Sequence, residues 1–389
     1  MPSGWGATTL GRIAKVERGK FSHRPRNDPR FYGGDVPFVQ TGDVTNSGGM
    51  VRTHSQTLNE RGLSVSKVFP KGTLLMTIAA NIGDCAILTF ASACPDSLVA
   101  IQPRGECVGL YLRYLLMIQK PRMHYLAPES AQKNINVEFL NSYPLVVPSP
   151  PEQRKIAEIL STWDRAIEHT EKLIEAKDRL KKGLMQRLLT GDLRFPEFHG
   201  TPWRTYRLGD VFKERKETGR DDLPLLSITS DRGVILRDEV ARKDTSNADK
   251  SKYKRIAPGD IGYNTMRMWQ GVSALSELEG IVSPAYTICV PKTGIDPEFA
   301  RHFFKFAPIV HLFWRNSQGL VNDTLSLKYH AFSRIKVTIP SVEEQRRIAQ
   351  VLSTVDREAL VLRVEVDALQ QQKKGLMQKL LTGKVRVSA

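Results

Sequence analysis

A ten-residue stretch of this chain returns with seven of its positions identical. Pro148-Ser149-Pro150-Pro151-Glu152-Gln153-Arg154-Lys155-Ile156-Ala157 returns as Pro340-Ser341-Val342-Glu343-Glu344-Gln345-Arg346-Arg347-Ile348-Ala349, 192 positions later. The offset holds without a gap through Lys181-Lys182-Gly183-Leu184-Met185-Gln186-Arg187-Leu188-Leu189-Thr190-Gly191 and Lys373-Lys374-Gly375-Leu376-Met377-Gln378-Lys379-Leu380-Leu381-Thr382-Gly383. Self-similarity of this kind means that one structural unit is used twice. A second echo links Trp5 and Leu10-Gly11-Arg12-Ile13-Ala14-Lys15 to Trp203 and Leu208-Gly209-Asp210-Val211-Phe212-Lys213 at an offset of 198, so the block between the echoes is six residues shorter in the second copy.

The echoes divide the chain into a variable block (1–147), a repeated segment with its linker (148–202), a second variable block (203–339) and the second repeated segment (340–389). A length of 389 residues exceeds one ordinary core. Hydrophobic residues at 41% and charged residues at 25% are globular values. The net charge of +16 calls for a polyanionic partner. Its placement is more telling, because residues 1–147 and residues 203–339 each carry an excess of six positive charges. No apolar run approaches the roughly 20 residues that span a bilayer. The start, Met1-Pro2-Ser3-Gly4-Trp5, lacks a basic segment followed by an apolar stretch, so a cytoplasmic location is expected. Cys85, Cys94, Cys107 and Cys289 show no C-x-x-C spacing and read as free thiols.

The repeated segments predict long helices over 152–189 and 344–381. Ser149-x-x-Glu152 and Ser341-x-x-Glu344 have the capping-box pattern, and Pro150 suits a first helical turn. Apolar positions then alternate at spacings of four and three. They are Ile156, Leu160, Trp163, Ile167, Thr170 and Ile174 in one copy, and Ile348, Leu352, Val355, Ala359, Leu362, Val366 and Leu369 in the other. That is a coiled-coil seam, and two rods of ~57 Å at about 1.5 Å per residue predict an intramolecular antiparallel pair. Gly191 and Gly383 are natural stops. Gly183 and Gly375 each cost about 1 kcal/mol inside a helix, so their retention in both copies predicts close backbone packing there.

The variable blocks read as mixed α/β. Strands are expected over 36–40, 73–78, 85–88 and 98–101 with a helix near 110–118, and over 223–228, 260–264, 272–275 and 286–290 with a helix near 297–306. Gly83 and Gly271 occupy matching places after matching strands. Between strand and glycine, Ala79-Ala80-Asn81-Ile82 stands against Arg267-Met268-Trp269-Gln270. The fold class is α+β: two globular mixed α/β domains joined by two long helices in a pseudo-twofold repeat.

Enzyme chemistry is hard to place on this sequence. Gly19-Lys20 and Gly383-Lys384 lack the serine or threonine and the first glycine of a phosphate-cradling loop. Asp28-Pro29-Arg30-Phe31 only half resembles the polar-Pro-Pro-aromatic tetrad of an amino-methyltransferase and reads as a turn. Pro95-Asp96 has no acidic-x-Lys partner for a nuclease, Glu175-x-Lys177 falls in the coiled coil, and the eight histidines form no H-x-x-x-H site, so neither a catalytic residue nor a metal site is expected.

Binding chemistry remains. Phosphate contacts want Lys and Arg, and base reading wants Arg, Asn, Gln, Ser and Thr on protruding loops. In the first block the candidates are Arg18, Lys20, Arg24 and Arg26, then Asn81, then Gln132, Lys133 and Asn134. In the second they are Lys252, Tyr253 and Lys254, then Arg267, Trp269 and Gln270, then Arg315 and Gln318.

The alternation of variable block, P-x-x-x-E-Q-[RK] helix ending in K-K-G-L-M-Q-[RK]-L-L-T-G, variable block and second helix resembles the specificity subunit of type I restriction–modification systems over essentially the whole chain. The resemblance implies two target-recognition domains, 1–147 and 203–339, each reading one half of a split, asymmetric double-stranded DNA site. The paired helices would act as a ruler between them. It implies two methyltransferase subunits docked on the helical frame, and restriction–motor subunits that complete the nuclease. S-adenosylmethionine, ATP and Mg would belong to those partners, and no catalytic residue transfers to this chain. Two other readings remain: an adaptor whose basic domains bind RNA or protein, and a complex that only methylates.

Overall fold

The computed structural model describes residues 2–78, 81–126, 135–230, 232–240, 249–321 and 324–388. The chain divides into two compact units, Met1–Thr170 with Glu365–Ala389, and Glu171–Val364. The divisions fall inside the two long helices, so each unit holds a variable block, part of the central helix (Pro150–Leu188) and part of the C-terminal helix (Val342–Leu380).

In the first unit a five-stranded sheet runs in the order Ala14–Arg18, Leu98–Pro103, Leu74–Thr77, Cys85–Leu88, Met50–Val51. Its pairings are antiparallel except the last. The second unit repeats the first four places as Phe212–Glu214, Tyr286–Pro291, Ile261–Asn264, Ser273–Leu275, all antiparallel. A ribbon that brings the ends of each variable block together is also repeated, as Gly6–Thr9 with Pro144–Val147 and as Arg204–Arg207 with Lys336–Ile339. These strands are the buried apolar runs of the sequence, as Leu74, Leu75 and Met76, all at 0% exposure, illustrate.

The two blocks differ in their additions. The first carries a second, four-stranded sheet and a long helix, Gly109–Leu126, that continues through Pro121. The second carries two short two-stranded sheets, Leu226–Ile228 with Val234–Leu236 and Lys254–Ile256 with Gly280–Val282, and its expected helix over 297–306 is instead Pro297–Phe303 followed by a separate helix, Ala307–Asn316. Pro308 explains the restart, because a proline lacks the N–H that an interior turn needs and fits a first turn.

Within each unit the long helices run antiparallel. In the first, Ile156 and Leu160 share a core with Met377, Leu380 and Leu381, and Asp164 pairs with Lys373. In the second, Leu188 and Leu189 share a core with Ile348 and Leu352, while Lys181 Nζ lies 2.6 Å from Asp356 and Lys177 Nζ 2.6 Å from Glu358. Seam burial is complete toward the variable blocks and partial midway: Ile156, Leu160, Ile348 and Leu352 are at 0–1% exposure, Thr170, Val355, Ala359 and Val366 are buried, and Trp163, Ile167, Ile174, Leu362 and Leu369 are half-buried.

Two expectations about these helices are corrected. A Cβ added at Gly183 or Gly375 would meet nothing within 4 Å, so close backbone packing does not explain the paired glycines. The glutamates of the two capping boxes also act elsewhere. The Glu344 amide donates to Ser341 Oγ at 3.3 Å, but its carboxylate takes Arg194 at 2.6 and 2.9 Å, and that of Glu152 takes Arg386 at 2.7 and 2.8 Å. A bidentate, charge-assisted pair outweighs one bond back to a free N–H. The neighbouring glutamines clamp each helix start to its variable block. Gln153 accepts from the Val108 amide at 3.0 Å and donates to the Pro148 carbonyl at 3.0 Å; Gln345 accepts from the Asp296 amide at 2.8 Å and donates to the Pro340 carbonyl at 2.9 Å.

Candidate nucleic-acid interface

Each variable block builds the same corner at one end of its sheet. In the first unit Ile78, just past the strand Leu74–Thr77, donates its amide to Ser97 O at 3.3 Å and accepts from the Ile135 amide at 3.1 Å. In the second unit Thr265, just past Ile261–Asn264, donates to Ala285 O at 3.0 Å and accepts from the Leu327 amide at 2.9 Å. Gly83 (φ +90°) and Gly271 (φ +76°) then turn the chain in the left-handed region. A Cβ would lie 3.0 Å from Lys120 at Gly83 and 3.0 Å from Val310 at Gly271. Those contacts set the helices Gly109–Leu126 and Ala307–Asn316 against the two glycines. Turn, glycine and helix are thus the same, while the side chains presented are not.

The sequence candidates can be placed on these corners. In the first unit, Arg18 Nε donates to Asp96 O at 2.7 Å, Arg24 Nη2 lies 2.9 Å from Asp96 Oδ2, and Arg26 pairs with Asp96 Oδ1. Asp96 adjoins Ser97, the acceptor for Ile78, so these three arginines stand at the corner. The exposed Lys20 is held through its backbone, the amide donating to Cys94 O at 2.9 Å and the carbonyl accepting from Ser66 Oγ at 2.6 Å. Asn81 is exposed between Ile78 and the buried Ile82. Gln132, Lys133 and Asn134 lie outside the described residues.

In the second unit, Arg267 and Gln270 are exposed, and Trp269 is half-buried with its indole N–H on Met266 O at 3.0 Å. Arg315 lies in the last turn of Ala307–Asn316, and Gln318 bridges to Ser326, next to the loop's attachment at Leu327. The run from Lys250 to Arg255 splits by role. Lys252 is exposed, but Tyr253 is only 5% exposed, with the Lys250 ammonium 4.8 Å from its ring centroid, so it offers no free face for stacking. Lys254 belongs to a short strand and donates to Tyr286 O at 2.7 Å, and burial draws its ammonium pKa below the usual range.

Sequence reasoning missed exposed apolar side chains at and just beyond the ends of these two helices. Tyr125, in the last turn of Gly109–Leu126, is 85% exposed; Trp314, in the last turn of Ala307–Asn316, is 45% exposed and stacks on His311 with ring centroids 5.4 Å apart. Leu320 is 101% exposed in the loop that follows. Only the matched helix ends, invisible in the sequence, relate Tyr125 to Trp314.

Burial governs the Cys85 and Cys94 thiols and the His302 imidazole. All four cysteines are free, and burial pushes the Cys85 and Cys94 thiols up to about 12, too high for a thiolate nucleophile. His302 touches Ser353 Oγ at 2.9 Å, but it is 2% exposed and lies among helices, away from any corner. Among the described residues no group of three or more His, Cys, Asp and Glu could hold a metal ion, and no helix is long and apolar enough to cross a membrane.

Comparison with known proteins agrees with this geometry. Residues 2–177 and 201–363 each match the type I restriction modification DNA specificity domain. The type I restriction enzyme MjaVIII specificity subunit of Methanocaldococcus jannaschii is 24% identical over 340 residues, 81% of this chain and 79% of that one. The MjaIX specificity subunit of the same organism is 27% identical over 236 residues, 55% and 52% of the two chains. In fold, the chain is similar to the type I restriction–modification S subunit from M. genitalium, with TM-score 0.59 at 17% identity over 97% of this chain and 96% of that one. It is also similar to a chain from a structure describing complex assembly and conformational transition of the type I system, with TM-score 0.55 at 14% identity over 98% of each. With both basic blocks inside the matched segments, the chain belongs to the type I restriction–modification DNA specificity family, in which it is the non-catalytic subunit that recognises DNA sequence.

Proposed function

We propose that this subunit reads a split, asymmetric duplex site, one half with each variable block, and that the paired helices set the distance between the halves. The carrying observation is the duplicated corner: one arrangement of strand end, left-handed glycine and helix end, presenting Arg24, Arg26 and Tyr125 in one unit and Arg267, Gln270 and Trp314 in the other. Different polar side chains on one scaffold are what two different base sequences require, since base edges are told apart by donor and acceptor pattern. Arg18, Lys20, Lys252 and Arg315 serve as phosphate contacts that fix register without reading sequence.

In this reading the complex works in the cytoplasm with two methyltransferase subunits and with restriction–motor subunits. S-adenosylmethionine, ATP and Mg act on those partners, and this chain decides where they act. The repeated Gly183 and Gly375, open to space rather than packed, suit a surface that both methyltransferase subunits use alike. Mapping methylated adenines in a host with and without the gene tests the reading. Replacing residues 203–339 with the corresponding block of a relative should then change one half of the methylated site and leave the other intact; a change in both halves would rule out separate reading.

A further inference from the structure

The turn before the strand Leu98–Pro103 places one carboxylate inside a basic loop. Asp96 takes Arg24 at 2.9 Å on one oxygen and Arg26 on the other, while its main-chain oxygen takes Arg18 at 2.7 Å. Arg24 is fixed further by bonds from its other terminal nitrogen to the carbonyls of Phe21 at 2.6 Å and His23 at 2.8 Å. The arginine side chains remain 51% and 44% exposed. Ion pairs this exposed add only about 0–1 kcal/mol to stability, so folding does not account for the carboxylate. The fold does not need it either, because Tyr286–Pro291 occupies the place of Leu98–Pro103 in the second unit and the residue corresponding to Asp96 there is Pro284.

A carboxylate at such a place has two effects on DNA. It spends part of each guanidinium's fixed set of five donors; on Arg24, with Nη1 on the Phe21 and His23 carbonyls, the Nε–H and one Nη2–H are left, a fork matching the paired acceptors of a guanine edge. Its charge also repels phosphates, so a duplex gripping the arginines through its backbone alone meets an opposing charge. We propose that Asp96 is a positioning residue for base reading by the first unit: it orients Arg24 and Arg26 and weakens their use as sequence-blind phosphate contacts. This rests on the recognition reading above.

The test uses Asp96→Asn and Asp96→Glu in the full chain, assembled with its methyltransferase subunits. The probes are a duplex carrying the mapped methylated site and a scrambled duplex of the same length, each titrated over a range of salt. In Asp96→Asn, binding to the scrambled duplex tightens and its salt slope steepens by about 1, as for one added phosphate contact. The preference for the mapped site falls about tenfold, equivalent to about 1.4 kcal/mol, and methylome mapping shows relaxed bases in one half-site only. Asp96→Glu retains most of the preference. If Asp96→Asn leaves slope and preference unchanged, or weakens both duplexes equally, the proposal fails while the recognition reading stands. If the wild-type complex does not itself prefer the mapped site, the recognition reading fails.

Discussion

Arg386, beyond the end of the C-terminal helix, grips the Glu152 carboxylate at the start of the central helix through bonds of 2.7 and 2.8 Å, with the Trp5 ring centroid 5.9 Å from its guanidinium carbon. The second unit repeats this latch as Arg194 on Glu344 at 2.9 and 2.6 Å, with Trp203 at 6.0 Å. Glu152 is 3% exposed and Glu344 1%, so each arginine neutralises a carboxylate that water cannot reach. In both units the latch ties the end of one long helix to the start of the other.

Removing either arginine therefore strands a buried carboxylate, which is the destabilising way to break such a pair. The Arg386 side chain is 43% exposed against 17% for Arg194, so solvent moderates the first loss more than the second. Arg194→Ala should lower the urea midpoint more than Arg386→Ala, and each should be partly rescued by Glu344→Gln or Glu152→Gln on its own side. Equal losses with no rescue would show that the arginines act through packing on the tryptophans instead.

His302 supplies a pH dependence of known sign. Burial, and then the Lys181 ammonium, push its imidazole down to about 3, against the smaller upward pull of Asp356. Above its unfolded value near 6.5 the residue is neutral in both states and pH has no effect through it. Below that value the unfolded chain takes up a proton that the folded chain refuses, so stability falls by about 1.4 kcal/mol per pH unit until pH approaches 3. Urea midpoints at pH 7 and pH 5 should converge in His302→Gln relative to wild type; an unchanged gap would assign the dependence to other groups.

Trp314→Ala and Tyr125→Ala should each weaken binding of the mapped duplex about tenfold, or about 1.4 kcal/mol, with little change in salt slope, because an apolar contact with bases or sugars displaces no counterions. The exposure of both side chains makes a folding defect an unsuitable explanation, and unchanged thermal midpoints would confirm that. Full affinity in both variants would restrict the interface to the polar candidates.

If the paired helices act as the proposed ruler, their ion-pair register determines how it would be lengthened. Lys177–Glu358, Lys181–Asp356 and Arg363–Asp178 lie on one side of a cut after Ala176 and Val364, and Asp164–Lys373 lies on the other. Four residues inserted at both points preserve all four pairs and turn each helix by only about 40°, while adding ~6 Å. The paired insertion should keep both half-sites and lengthen the spacer by about one or two base pairs at ~3.4 Å each. The insertion after Ala176 alone should abolish assembly. An unchanged spacer in the paired variant, read by methylome sequencing, would leave the helices as a docking surface only.

Much of this molecule was legible in the linear chain. The repeated ten-residue stretch, the four–three spacing from Ile156 to Ile174, and the matching places of Gly83 and Gly271 are local patterns, and local patterns survive translation into structure because helix period and left-handed turns depend on nearby residues alone. They determined two units, long helices that run antiparallel within each unit, and equivalent corners. The fate of individual side chains depended on residues far away in sequence. Glu152 looks like half of a capping box until Arg386 arrives, Tyr253 looks like a stacking platform until it is buried, and Arg24 looks free until Asp96 takes it. Charge pairing and burial act through space, so only the tertiary structure decided which polar residues became latches, which became core, and which remained to meet DNA.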